Sequence, residues 1–312
     1  MKPFKPNPIK KNWLKLTNNK KYQEYKHQKQ HYKTISALNN YGNNEALTPE
    51  KIIALAGLNN GINFSHSGNS GDIIYALPVV KKIKELTNKP VNFYLELNVP
   101  MSLAFKNIHP LGNVMLNQKM ADGLIPLLNA QSYIDKCDVL TDQKVHINLS
   151  SFRNSGILTD RGNIARWNFY TTGIIGDLGK PWLTAEIDKQ YDDTIVIARS
   201  SRYNNPLVDY SFLSQYKNIA FVGVDSEYQE MKKVIPGIEF IPVTDFLHMA
   251  RIIKSCKLFI GNQSFPYSIA EGLKARRLLE VFFAAPNVLP EGADGYDFLF
   301  QNHFESLVKS LV

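Results

Sequence analysis

Three short apolar runs constrain the fold of this chain more than any other feature. They are Thr194–Arg199 (TIVIAR), Ile219–Val224 (IAFVGV) and Lys257–Gly261 (KLFIG). Each run is nearly continuous rather than alternating, which suits a strand covered on both faces in a parallel sheet. The helical patterns SEYQEMKKV and FLHMARIIKS lie between them, and that alternation builds βαβ units. Further strand candidates are Ile62–Phe64, Val91–Leu97, Val145–Phe152, Ile238–Val243 and Leu278–Phe283. The expected class is therefore α/β, with two series of the same general plan. They are separated near Gly176–Trp182, where Gly179, Lys180 and Pro181 read as a connection. The expected units are residues 1–45, 46–182 and 183–312.

A chain of 312 residues with 44% apolar content can bury a sizeable core. No stretch approaches the roughly 18–20 uninterrupted apolar residues of a membrane span, and the start is too polar for a secretory leader. The expectation is a soluble, cytoplasmic protein without a transmembrane segment. Cys137 and Cys256 stand far apart with no CxxC, so neither a disulfide framework nor a zinc site is expected. Cys256 reads as a small buried residue.

The formal charge of +8 is concentrated at one end. Residues 1–33 carry ten Lys and one Glu, leaving the remainder at a net −1. The segment 1–45 is rich in Lys, Asn, Gln and Tyr and is expected to be a flexible or weakly helical basic arm. Either it is a solvated tail with Trp13 and Leu14 pinned to the body, or residues 1–33 contact a polyanion or an anionic membrane surface. From Thr48 the sequence turns globular, with Thr48 and Pro49 as helix-start signals and Gly57 as a stop.

The stretch Ser67–Pro78, SGNSGDIIYALP, follows the Ile62–Phe64 run and opens an amphipathic run, Ile73–Leu86. A glycine-bearing turn between strand and helix presents backbone N–H groups that favour an anion or a polar substrate group. Asp72 stands at its mouth, either as a catalytic carboxylate or as a helix cap. The turn is not GxGxxG, and no P-loop occurs, so neither a nicotinamide enzyme nor an NTPase is indicated. His66 adjoins the turn, as an acceptor contact or a satisfied strand-end histidine. His109, His146 and His248 show no ligand spacing and no DxD occurs, so no metal centre is expected.

A second strand–turn–helix plan lies at Leu258–Leu273, LFIGNQSFPYSIAEGL, where N–H groups of Ser264–Tyr267 can face a diphosphate. In Ala198–Asn205, ARSSRYNN, Arg199 and Arg202 follow a strand's C-terminal end, where open α/β sheets bind ligands. The alternative for both is a structural ion pair. Asn148, Ser150, Ser151 and Arg153 end the run HINLSSF and reach the same side by the same logic. Beyond them, Arg161, Arg166 and Trp167 form either a carbohydrate platform or, for Trp167, a packing face. Asn287–Tyr296 is a turn-rich loop, and His303–Val312 a terminal helix.

The joined stretch GNSGDIIYALP resembles the N-terminal signature of the ADP-heptose:lipopolysaccharide heptosyltransferases, with Gly71, Asp72 and Pro78 at the marked positions. The resemblance implies a GT-B fold: two Rossmann-like domains facing across a cleft, with the acceptor mainly on the first and the nucleotide sugar mainly on the second. It implies that Asp72 is the general base for an acceptor hydroxyl, beside acceptor contacts at His66, Asn69, Ser70, Gly71 and Arg153. Donor contacts fall at Arg199, Arg202, Asn262, Gln263, Ser264, Phe265, Ser268 and Glu271. The donor segment of that family usually reads Asp-Ser/Thr-Gly and then His; here Gln263, Phe265 and Ser268 depart from it. The implied reaction is inverting and metal-independent. A nucleotide sugar is co-substrate, no other cofactor is needed, and a carbohydrate or glycolipid is acceptor, handled at the inner membrane face. Two other readings remain open: a glycosyltransferase acting on modified DNA, and a non-catalytic sugar-nucleotide-binding or scaffold protein.

Overall fold

The apolar runs become strands of two separate parallel sheets. The computed structural model describes residues 4–101 and 112–312, so His109 lies outside the described residues. The first sheet contains β1 (Ile62–His66), β2 (Val91–Leu95), β3 (Lys136–Val139) and β4 (Ile147–Asn148) in the order β3-β2-β1-β4. The second contains β5 (Ile195–Ala198), β6 (Ile219–Phe221), β7 (Glu239–Phe240), β8 (Leu258–Asn262), β9 (Arg277–Glu280) and β10 (Gly295–Phe298) in the order β10-β9-β8-β5-β6-β7. Every residue of β5, β6, β8 and β9 is buried, as continuous apolar runs require when helices cover both faces.

Each sheet reverses its winding once. In the first, β1 leads outward through β2 to β3, and β4 then returns to the other side of β1. In the second, β5 leads through β6 to β7, and β8 returns to the other side of β5. Such reversals leave a crevice beyond the strand C-termini. The loops after β1, β4, β5 and β8 therefore line the two crevices, and all four had drawn attention in the sequence.

Three elements carried no clear signal. The edge strand β3 (KCDV) and the edge strand β10 (GYDF) both mix polar with apolar residues, so the turn-rich segment Asn287–Tyr296 runs into a strand. Helix α5 (Gln118–Asn129) contains Gly123 and Pro126. The expected strand Val145–Phe152 shrinks to β4 because Asn148 Oδ1 accepts the Ser150 N–H at 2.8 Å and starts a 3-10 helix, Leu149–Asn154.

The basic segment, expected to be flexible or weakly helical, is helical. Helix α1 (Pro8–Thr17) and helix α2 (Asn19–Asn44) are each started by an Asn cap, Asn7 and Asn18. Lys and Gln are good helix formers, and tertiary contacts supply the rest. Leu14 and Tyr25 are buried, and Tyr25 Oη accepts the Asn7 N–H at 2.9 Å. Farther along α2, Tyr41 Oη lies 2.9 Å from Ser151 Oγ. At Gly156 (φ +86°) a Cβ would fall 2.9 Å from the Ala37 Cβ, so α2 comes to rest on bare backbone.

The remaining helices are α3 (Pro49–Gly57), α4 (Ser70–Thr87), α6 (Ile164–Thr172), α7 (Asp225–Val234), α8 (Phe246–Ser255), α9 (Phe265–Leu273) and α10 (Gln301–Leu311). One apolar cluster joins residues of both sheets, among them Phe64, Phe93, Val196 and Phe259, through α4, α5, α8 and α9. A second cluster, with Ile197, Phe221 and Phe304, covers the other face of the larger sheet. The connecting segment is built into the first cluster: Trp182 is buried and donates from Nε1 to the Ile74 carbonyl at 3.0 Å. Its N–H donates to the Gly272 carbonyl at 2.9 Å. Gly272 has to be glycine, since a Cβ there would meet Leu183 Cδ1 at 2.8 Å.

Candidate active site at the meeting of two helix N-termini

The N-termini of α4 and α9 abut. A Cβ on Gly71 would lie 3.9 Å from both Phe265 Cα and Ser268 Oγ. The two strand–turn–helix segments singled out in the sequence, nearly two hundred residues apart, thus open onto one place. Both helix ends present free N–H groups and a partial positive charge there.

Around Gly68 the side chains of His66, Asp72 and Arg153 close in. A Cβ at this glycine would sit 2.6 Å from His66 Cε1 and 2.8 Å from both Arg153 Nη2 and Asp72 Oδ2, so any larger residue would displace these three groups. Asp72 Oδ2 accepts the Asn69 N–H at 3.2 Å and an ion-paired hydrogen bond from Arg153 Nη2. Among the described residues no hydrogen bond reaches Asp72 Oδ1, and the side chain keeps 18% exposure. Capping and reactivity are therefore not exclusive: one oxygen serves the helix and the guanidinium, and the other is available.

His66 is fully buried at the end of β1, and its Nδ1 accepts the Gly68 N–H at 2.9 Å. Burial, and secondarily the Arg153 charge, push its pKa well below the usual imidazole range. The ring is neutral, and the hydrogen-bond pattern assigns its proton to Nε2. That Nε2 is one of several buried polar atoms with no partner among the described residues. The others at this place are Ser70 Oγ, Arg153 Nη1, Arg202 Nε and Ser264 Oγ, while Asn69 and Asp72 close a reciprocal capping box at the start of α4. Buried polar groups are nearly always paired, at a cost of about 1–3 kcal/mol each when they are not. Five of them lie on the loops around one junction.

Several expected donor contacts are committed elsewhere and are corrected accordingly. Arg199 gives Nε and Nη2 to Glu280 at 2.7 and 2.9 Å and stacks 4.6 Å from the Tyr210 ring. Its fork is filled by a carboxylate that is itself 0% exposed. Asn262 holds the backbone of Ser200 through both side-chain atoms, at 3.1 and 2.7 Å. Gln263 receives the Phe282 N–H and donates to Ala285 O and Asn287 Oδ1, so it frames the loop after β9. Ser268 Oγ turns back to the Phe265 carbonyl at 2.6 Å. Glu271 lies on neither the ligand side nor the helix surface. It is 1% exposed and ion-paired with Arg277 and Lys274.

What stays at the opening is Arg202, Ser264 and Phe265, facing His66, Asn69, Ser70, Gly71, Asp72 and Arg153. Of the N–H groups expected to face a diphosphate, those of Ser264 and Tyr267 donate to the Asn262 and Ser264 carbonyls and Pro266 has none, which leaves the Phe265 N–H. Sequence reasoning missed Tyr203. Burial raises its phenol pKa, the Arg202 charge lowers it and the Asp72 charge raises it, so one ring lies within reach of both charges. It packs edge-on against Phe282 at 5.7 Å. The adjacency of Tyr203 to Arg202 was legible; its approach to Asp72 was not.

The other flagged groups have structural roles. Ser150 Oγ accepts the Ser67 N–H at 2.7 Å. Arg166 pairs with Glu291 and Arg161 with Asp160, and Trp167 packs 5.1 Å from Phe152. Both cysteines are buried, and burial pushes each thiol up to about 12. Among the described residues, no group of three or more His, Cys, Asp or Glu is placed to hold a metal ion.

Lys274 gives a pH test of the ion network behind the site. Burial, opposed by Glu271, pushes its pKa down from 10.5 to about 8. Between pH 8 and 10.5 the unfolded chain then holds a proton at this lysine that the folded chain has released, so the Lys274 contribution to stability rises with pH across that window, while the two buried thiols oppose it from about pH 9 upward. Urea unfolding of parent and Lys274→Met from pH 7 to 10 isolates the contribution: the stability of the parent relative to the variant should rise with pH. An unchanged slope in the variant would refute the assignment.

No family model and no curated protein sequence matches the chain. Solved structures do. The parallel α/β arrangement is that of Rossmann-like GT-B proteins. A glycosyl transferase family 9 structure from Veillonella parvula DSM 2008 is similar at 12% identity, with a TM-score of 0.50, over 80% of this chain and 88% of that one. E. coli heptosyltransferase WaaC with ADP-2-deoxy-2-fluoro heptose is similar at 8% identity, with a TM-score of 0.55, over 80% of this chain and 99% of that one. WaaC with ADP gives 9% and 0.55. At such identities the likeness is one of fold.

Proposed function

We propose that the protein is a GT-B glycosyltransferase that moves a sugar from a nucleotide-sugar donor to an acceptor hydroxyl, with inversion and without a metal. The observation that carries this reading is the set of unpartnered buried polar groups where α4 meets α9. They need a ligand rich in hydroxyls and anionic oxygens. The first sheet and its helices form the acceptor side and the second the donor side. Asp72 Oδ1 takes the acceptor proton, and Arg153 holds the carboxylate in place through Oδ2. The hydroxyl attacks the anomeric carbon as the bond to the diphosphate breaks, and the departing charge passes to Arg202 and the α9 N-terminus. WaaC, whose solved structures hold ADP and an ADP-heptose analogue, makes an ADP-sugar the first donor to try.

A thermal-shift screen against nucleoside diphosphates and nucleotide sugars tests the donor side. A ligand at one hundred times its Kd stabilises the folded state by about 2.7 kcal/mol. Arg202→Ala should abolish the shift and Arg199→Lys should leave most of it. A screen in which none of these ligands raises the melting temperature would sink the proposal. A nucleotide that binds without any turnover would favour a sugar-nucleotide-binding or scaffold protein instead.

A further inference from the structure

Helix α1 carries three large apolar side chains in the open. Ile9, Trp13 and Leu16 are 83%, 61% and 86% exposed. Their spacing of four and three residues puts them on one face of the helix. Leu14, on the opposite side, is buried, so α1 has already found its packing partner in α2. Leaving that many large apolar groups in water forgoes the stabilisation their burial would bring. They lie close together on one short helix rather than scattered, which marks a contact surface.

The charges around this face say what covers it. Lys5, Lys10, Lys11, Lys15, Lys20, Lys21, Lys26 and Lys33 are exposed, and Glu24 is the only acidic residue between 4 and 44. Among the described residues none of these lysines forms an ion pair, while ion pairs are common elsewhere on the protein. A nucleic acid would take the lysines but leave Ile9 and Leu16 wet. An anionic bilayer takes both. Apolar side chains enter the acyl boundary, an indole settles at headgroup depth, and each nearby lysine is attracted by the anionic headgroups.

We propose that α1 is a lipid-docking helix, its Ile9–Trp13–Leu16 face inserted into the surface of an anionic membrane while the lysines of α1 and α2 hold the headgroups. No helix among the described residues is long and apolar enough to cross a membrane, so the contact is with one leaflet. The inference is independent of the glycosyltransferase reading, because its readout involves no turnover.

The test uses the full chain and vesicles of phosphatidylcholine alone or mixed with phosphatidylserine. Cosedimentation should require phosphatidylserine and weaken as salt is raised. Trp13 fluorescence should shift to the blue on binding, and the other two tryptophans, at 4% and 3% exposure, contribute little change. The triple variant Ile9→Ser, Trp13→Ser, Leu16→Ser alters only exposed positions, so it should melt as the parent does. It should bind vesicles about tenfold more weakly or worse. The idea is overturned if phosphatidylserine vesicles are not bound, or if the triple variant binds them as the parent does. The second result, accompanied by equally tight and salt-sensitive binding of duplex DNA, would assign the lysines to a polyanion.

Discussion

Glu271→Gln is expected to lower the unfolding free energy by about 3–5 kcal/mol, the usual result of removing one partner from a buried ion pair. The melting temperature should fall by on the order of 10 °C. Glu271 and Arg277 are 1% and 0% exposed, and the Lys274 side chain is 9% exposed. Glu271 Oε1 also accepts the Glu291 N–H at 3.1 Å, and Arg277 donates to the carbonyls of Ala275, Glu291 and Ala293. One carboxylate thus balances two buried cations and pins the loop after β9. Glutamine keeps the shape and loses the balancing charge. Glu230→Gln is the control: its pair with Lys233 is about 70% exposed, and such pairs contribute little. The resemblance to heptosyltransferases had implied a donor contact for Glu271. If the variant melts as the parent does but loses nucleotide binding, that implication was right and the structural assignment is wrong.

The outcome at Glu271 illustrates what a sequence exposes and what it hides. The strands β1, β2, β5, β6 and β8 were legible because a strand buried on both faces has to be written as an apolar run. The two helix N-termini were legible because a tight turn into a helix needs Gly, Asn or Ser in order. Edge strands β3 and β10 face water on one side and need no such pattern. The function of a long-range polar side chain is least legible of all. Arg199 and Arg202 differ by three positions in one loop, yet one forms an ion pair with Glu280, 81 residues away, and the other forms no ion pair among the described residues, although its charge reaches Glu227. Nothing local to ARSSRYNN distinguishes them. In the same way Arg153 and Asp72 were both flagged, each for its own loop, but their pairing depends on β4 lying beside β1. For the basic arm, composition left a flexible and a weakly helical segment both open, and two tyrosine anchors and an alanine against Gly156 hold it as a helix.

Asp72→Asn is expected to reduce sugar transfer by about 10²–10⁴-fold, the usual contribution of a positioned general base. Asparagine has nearly the same shape and retains a carbonyl oxygen that can accept the Asn69 N–H, so the start of α4 should persist. It cannot take a proton from the acceptor, and it leaves the Arg153 guanidinium without its counter-charge. Arg153 is 29% exposed, so water can compensate part of that loss, and the fold should survive. Nucleotide binding should also survive, because Arg202 and the α9 N-terminus lie on the other side of the junction. Arg153→Lys separates the roles further. A lysine keeps the charge but not the fork that holds Oδ2, so kcat should fall while the thermal shift by nucleotide stays. The decisive comparison is turnover against nucleotide-induced stabilisation in the same preparations. Transfer that continues unchanged in Asp72→Asn would show that another group takes the proton, and the five unpartnered atoms at this junction would then need a different explanation.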